Sequence, residues 1–269
     1  MSDMHASPGR MIVTLCLGIT LAGAGLFIAS VQDARDAPAC VPSRDCVILL
    51  HGLCRSARSM GSIAVSLQHD GYAVINLDYA STQKSINALA EQALAPAVNM
   101  ARRQGYSRIH LVTHSMGGII VKVFLQKHVL PPGSRVVMLA PPNQGSELTD
   151  WALLHVPRIY SLAGPAAREL GTQGNDHLNG LQNVGAQVGI IAGSGSWNPL
   201  FSAILPGDDD GKVTVERTRL PGMTDFLVVP DTHMMIMFDR HVHAQIVHFL
   251  KSGRFDRSLQ ASRGKIRRH

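Results

Sequence analysis

The chain has 269 residues, 45% of them hydrophobic and 16% charged, enough to bury one sizeable core and within the range of a single large domain. Its formal net charge is +6, but residues 252–269 alone carry +5 (Arg254, Arg257, Arg263, Lys265, Arg267 and Arg268 against Asp256), so the rest is nearly neutral. That balance argues against a nucleic-acid-binding core, which needs basic residues gathered on the folded surface that meets the phosphates.

Met11 to Val31 (MIVTLCLGITLAGAGLFIASV) is an uncharged apolar run behind Arg10. Residues 1–31 therefore read as a signal peptide or an N-terminal membrane anchor, apart from a folded domain expected over residues 40–255. Ala22-Gly23-Ala24 and Ile28-Ala29-Ser30 are two imperfect cleavage patterns, which leaves both cleavage and retention open. Either outcome predicts an exported protein: periplasmic, secreted, or held at the inner membrane through residues 11–31. Of the four cysteines, Cys16 falls in this leader. Cys40 and Cys46 could close a short disulfide loop that leaves Cys54 free, or all three are unpaired thiols.

The first strand-like run, Cys46 to Leu50, ends in His51-Gly52-Leu53 and is followed by an amphipathic segment, Ser56 to Asp70. Four more runs follow at Ala73 to Leu77, Arg108 to Thr113, Arg135 to Leu139 and Gln187 to Ala192, and a sixth, Asp225 to Val229, comes after the Pro221-Gly222 turn. Helical patterns occupy Gln83 to Gln104, Gly117 to Val129 and Arg240 to Lys251. Continuous apolar runs alternating with helices predict an open, mostly parallel central sheet with helices on both faces. Ligands of such sheets bind beyond the carboxyl ends of the strands.

After the third run comes Thr113-His114-Ser115-Met116-Gly117-Gly118, the strand, turn and helix setting of a nucleophile elbow. The close approach of strand and helix demands small residues two positions either side of the serine. Gly117 provides one, while Thr113 stands where the general motif has Gly. The competing reading has Ser115 merely capping the following helix. The His51-Gly52 turn supports the elbow, because backbone N–H groups of Leu53 and Met116 could then converge as an oxyanion hole.

A serine hydroxyl needs a histidine to accept its proton and a carboxylate to orient that histidine, in the chain order Ser, acid, His. After the fifth run, Pro206-Gly207-Asp208-Asp209-Asp210-Gly211-Lys212-Val213 offers three acids; after the sixth, Pro230-Asp231-Thr232-His233 offers the base. Asp231 reads as a turn residue, and His241, His243 and His248 as surface or partly packed residues of the last helix. The thirteen histidines are scattered, and His241 and His243 fall on different sides of a helix, so no metal site is expected. Met234 to Phe238 (MMIMF) reads as core packing.

From Cys46 to Phe255 the chain resembles bacterial α/β-hydrolases of the esterase and lipase type, akin to small secreted triacylglycerol lipases and inositol-deacylase-like hydrolases. The resemblance runs through HGLCRS, the Gly71-Tyr72 to Asp78-Tyr79 segment, THSMGG, LAPPNQGSE, DDGKV and DTH. It implies the α/β-hydrolase fold, and it makes the Asp directly before Gly in the Asp-Gly-x-Val loop the triad acid, which is Asp210, with Asp209 as the fallback. The expected activity is hydrolysis of small-molecule or lipid carboxylic esters through Ser115, Asp210 and His233, without cofactor. An acyltransferase or thioesterase using the same residues is one alternative; a non-catalytic hydrolase-like chaperone or binding protein is the other. Residues 145–185 are long for a plain connection and read either as a helical cap or lid or as a crossover helix with a trailing loop. Residues 256–269 read as a basic, disordered tail. Oligomeric state is open.

Overall fold

The computed structural model describes residues 45–173 and 186–259. The apolar leader, Cys16, Cys40, the stretch 174–185 and the basic residues beyond 259 lie outside the described residues. Six strands, β1 (Asp45–Leu50), β2 (Ala73–Leu77), β3 (Arg108–His114), β4 (Arg135–Leu139), β5 (Gln187–Gly193) and β6 (Asp225–Val229), form one sheet in the order β2-β1-β3-β4-β5-β6. All neighbours pair in parallel. The chain steps outward from β1 to β2, crosses back to β3, and then moves one strand at a time to β6. The reversal point therefore lies between β1 and β3, where open α/β sheets place their ligands.

Both faces of the sheet are covered, which is why its strands read as unbroken apolar runs. On one face Cys46, Ile48 and Leu50 pack with residues of the helical stretch 86–103 and of the helix Met116–Lys127. On the other, Val47 and Leu49 pack with the helices Gly61–His69 and Arg240–Ser252. Cys46 is buried inside β1 with no disulfide partner among the described residues, and burial pushes its thiol up to about 11, which leaves it unreactive.

The expected Gln83 to Gln104 helix begins at Ile86, where the Ser85 side chain caps Ala88, and is interrupted by a π turn over Ala90–Leu94. Pro96 follows at the start of the last segment, Ala95–Arg103. A proline there has no N–H to continue an α-helical ladder and crowds the carbonyl four residues back, which the wider turn relieves. In residues 145–173 the chain forms short helices at Glu147–His155, Pro157–Tyr160 and Pro165–Arg168. Ala166 and Leu170 return to the core, and Gly164 sits so close to the carbonyl of Thr82 that no side chain fits there. In Met234 to Phe238 the packing expectation holds for Ile236 and Met237, whereas Met235 and Phe238 are exposed.

The helix Arg240–Ser252 is capped by the Asp239 side chain at its start and ends on left-handed Gly253. Its buried Gln245 side chain brackets the backbone of Asp256, accepting from its N–H at 2.8 Å and donating to its carbonyl at 2.6 Å. Arg257 then pairs with Asp225 at the start of β6. The first residues of the expected basic tail are thus docked, and the folded body runs past Phe255. Among the described residues no helix is long and apolar enough to cross a membrane.

Candidate active site

Ser115 lies in the turn that leaves β3, with φ 54° and ψ −126°, a backbone conformation that L-residues rarely adopt. It caps nothing with its side chain, so the hydroxyl is not engaged as a helix cap. The turn is tied down by the Ser115 N–H, which donates to the carbonyl of Leu139 at 2.9 Å. A Cβ at Gly117 would stand 2.8 Å and 2.9 Å from the carbonyl oxygens of Leu50 and His51, so only glycine lets helix and sheet approach.

Thr113, which stands where the general motif has Gly, is buried and faces the first turn of the helix. A Cβ at Gly118 would stand 3.4 Å from the Thr113 hydroxyl and 2.9 Å from Cβ of Pro141.

Three loops meet at the serine. His233 Nε2 is 3.0 Å from Ser115 Oγ, and His233 Nδ1 is 2.8 Å from Asp210 Oδ2. The other oxygen of Asp210 accepts from the backbone N–H groups of Lys212 and Val213 at 2.9 Å and 2.8 Å. Its main-chain carbonyl accepts from the His233 N–H at 2.8 Å, so acid and base are joined twice. The carboxylate accepts from Nδ1–H, which leaves Nε2 free to take the hydroxyl proton. A Cβ at Gly193, the last residue of β5, would lie 2.5 Å from the Asp231 carbonyl and 2.8 Å from Asp210 Cβ, so that glycine makes room for both loops.

The neighbouring carboxylate of Asp209 is engaged elsewhere. Asp209 Oδ1 accepts from the Gly211 N–H and the Ser202 hydroxyl. Of the last helix's histidines, His243 bonds the Met237 carbonyl and His248 the Arg254 carbonyl. Among the described residues no group of His, Cys, Asp and Glu is arranged to hold a metal ion.

Parallel register pairs Leu50 with Thr113, which sets the turn after β1 beside the elbow. Gly52 lies against the nucleophile: a Cβ there would be 3.1 Å from Ser115 Cβ and 3.0 Å from His114 Nδ1. Leu53 follows in that turn, and Met116 is the first residue of the helix, where N–H groups point out of the helix start. The turn is buttressed from β2 by residues not singled out from the sequence as functional. Tyr79 stacks on the buried His51 ring at 4.0 Å and donates its hydroxyl to the His51 carbonyl. Asp78 lies 3.5 Å from His51 Nε2 and accepts from the Ala57 N–H. Burial lowers the His51 pKa despite this carboxylate, favouring a neutral ring. Their signal was their place directly after a strand end.

A family model described as alpha/beta hydrolase fold matches residues 45–163, which hold Ser115 and the turn after β1 but neither Asp210 nor His233. No curated protein matches the sequence. Among solved structures, the mature form of Bacillus licheniformis lipase BlEst2 is similar, with a TM-score of 0.65 at 21% identity over 82% of this chain and 96% of that one. Legionella pneumophila phospholipase PlaB aligns with a TM-score of 0.61 at 18% identity, over 78% of this chain and 60% of its own. The metagenomic carboxyl esterase MGS0156 gives 0.57 at 17%, over 87% and 85%. The expected fold is borne out, and the solved structures that share it include a lipase, a phospholipase and a carboxyl esterase.

Proposed function

On the premise that the chain has the α/β-hydrolase fold, we propose that it is a serine hydrolase that cleaves carboxylic esters of small-molecule or lipid substrates. The observation that carries the reading is the unbroken relay from Ser115 Oγ to His233 to Asp210, with contacts of 3.0 Å and 2.8 Å. The Ser115 hydroxyl attacks the acyl carbonyl while His233 Nε2 takes its proton. Asp210 holds the ring and stabilises the imidazolium, and the N–H groups of Leu53 and Met116 face the oxyanion. Collapse of the tetrahedral intermediate expels the alcohol, which receives the proton from His233, and leaves the acyl group on Ser115. Water, deprotonated by His233, then attacks the ester carbon; as this second tetrahedral intermediate collapses the bond to Ser115 Oγ breaks, His233 returns the proton to Oγ, and the carboxylic acid is released.

The activity is checked with short p-nitrophenyl esters. The wild-type protein is expected to hydrolyse them and His233→Ala to lose that hydrolysis; a folded His233→Ala protein with wild-type rates contradicts the proposal. Assaying with an added alcohol and measuring the ester formed separates hydrolysis from acyl transfer. Export belongs to the same proposal and is supported by the apolar run from Met11 to Val31.

A further inference from the structure

We propose that His114, which the chemistry does not use, is a positioning residue that ties the main chain of the base, His233, to the strand that carries the nucleophile. The inference rests on the Ser115, His233 and Asp210 reading given above. His114 is the last residue of β3, directly before Ser115, and its ring is buried between the three loops that build the site. Its Nε2 lies 2.9 Å from the carbonyl oxygen of His233. A carbonyl only accepts, so Nε2 carries the hydrogen and Nδ1 is left with a lone pair.

That second nitrogen has no hydrogen-bond partner among the described residues. It faces Gly52, in the turn against Ser115, at 3.0 Å from where a Cβ would stand. Leaving a buried nitrogen unpaired is unfavourable, and a leucine or methionine would fill the same space without that cost. A polar ring with one unpaired nitrogen is explained if the other nitrogen's hydrogen bond is what the site requires.

The hydrogen bond has a specific consequence. His233 is held to the acid loop through its N–H, and His114 holds its carbonyl to β3. The distance from Nε2 of His233 to Ser115 Oγ is therefore set through the backbone at both ends, before any substrate binds. The two imidazoles lie 4.8 Å apart, so a charged His114 would oppose the imidazolium that forms on His233 during turnover. Complete burial and the nearby positive groups of His233, Lys212 and Arg55 hold the His114 pKa well below its ordinary value, which keeps the ring neutral.

The test compares three substitutions in the full chain. In His114→Gln the amide nitrogen reaches the place of Nε2 and keeps the donor; in His114→Met the shape is kept and the donor lost; in His114→Asn the amide falls short of the His233 carbonyl. Functional sites are counted by fluorophosphonate labelling, and kcat and KM are measured per labelled site on a p-nitrophenyl ester, with Tm alongside. Since misplacement of a reacting group by about 1 Å costs on the order of a hundredfold, His114→Met and His114→Asn are expected to lose about ten- to a hundredfold in kcat with KM little changed. His114→Gln is expected to recover most of that loss.

Equal kcat per site in His114→Asn and the wild type overturns the inference, as does a His114→Gln enzyme as slow as His114→Asn. A fall in Tm without a fall in kcat makes His114 structural only and likewise overturns it. If His114→Met does not fold, the Gln and Asn pair decides. Failure of the wild-type protein to be labelled on Ser115 overturns the triad reading and this inference with it, whereas labelled wild type with unaffected variants removes the role of His114 alone.

Discussion

The two oxygens of Asp210 have separate roles: Oδ2 faces His233 Nδ1, and Oδ1 is fixed by two backbone N–H groups of its own loop. Asp210→Asn is nearly the same size, but its amide favours the wrong tautomer of His233, and kcat is expected to fall by about 10³ to 10⁴. Asp209→Asn is expected to leave kcat within about tenfold, because that side chain bonds Gly211 and Ser202 and not the base. Steady-state kinetics on the two purified variants checks the pair, and an Asp209→Asn loss equal to that of Asp210→Asn contradicts the assignment. Chain order and the run of three acids left this choice open in the sequence, where only resemblance favoured Asp210. A step of one residue turns a side chain to another side of the loop, and that turn is set by Val213, whose carbonyl accepts from the Asp210 N–H.

The elbow is built by contact between one strand end and one helix start, and its tightest demand falls on Gly117. In Gly117→Ala the added methyl group would meet two backbone carbonyls, of Leu50 and His51, neither of which is the movable end of a side chain. The substitution is expected to cost about 1–3 kcal/mol of stability and to lower kcat, because relief must shift the helix away from the turn that holds Leu53. Chemical denaturation and kinetics together measure this; an unchanged midpoint with unchanged kcat contradicts the packing described. The strand runs and three of the four helix patterns were legible because both faces of the sheet are buried and the covering helices are amphipathic. The buttress of Tyr79, His51 and Asp78 was not, since stacking between residues 28 positions apart depends on parallel register. His114 was hidden for the same reason: periodicity marks it as the end of a strand and says nothing of a partner 119 residues away.

Across the whole molecule, several buried groups among the described residues make stability depend on pH, His110 and Lys122 at opposite ends of the range. His110, buried in β3, accepts from the Arg135 N–H and has its pKa pushed down to about 4 by burial. The unfolded chain therefore binds more protons between about 4 and 6.5, and stability is expected to fall as pH drops through that window. Lys122, buried in the helix behind the nucleophile, donates to the Asn143 carbonyl, and burial lowers its pKa from 10.5 to about 8. For this group too the unfolded state binds more protons, here between about 8 and 10.5, so the contribution of Lys122 to stability grows with pH across that range by on the order of 3 kcal/mol, opposed above about 9 by the buried Cys46 thiol. His110→Asn, which keeps an acceptor for Arg135, is expected to reduce the acid slope, to which the buried His51 and His114 also contribute, and Lys122→Met to remove the rising contribution at alkaline pH. Urea denaturation at a series of pH values checks both, and unchanged slopes in the variants contradict the assignment.

The same scale holds the central claim, since Ser115, Asp210 and His233 are distant in the chain and meet only when the sheet is assembled in its observed order. Fluorophosphonate labelling followed by peptide mass spectrometry tests it most directly. Wild-type protein is expected to carry one adduct, on Ser115, with Ser115→Ala unlabelled and His233→Ala labelled far more slowly. Folded wild-type protein that takes no label, or takes it equally well in Ser115→Ala, would contradict the account.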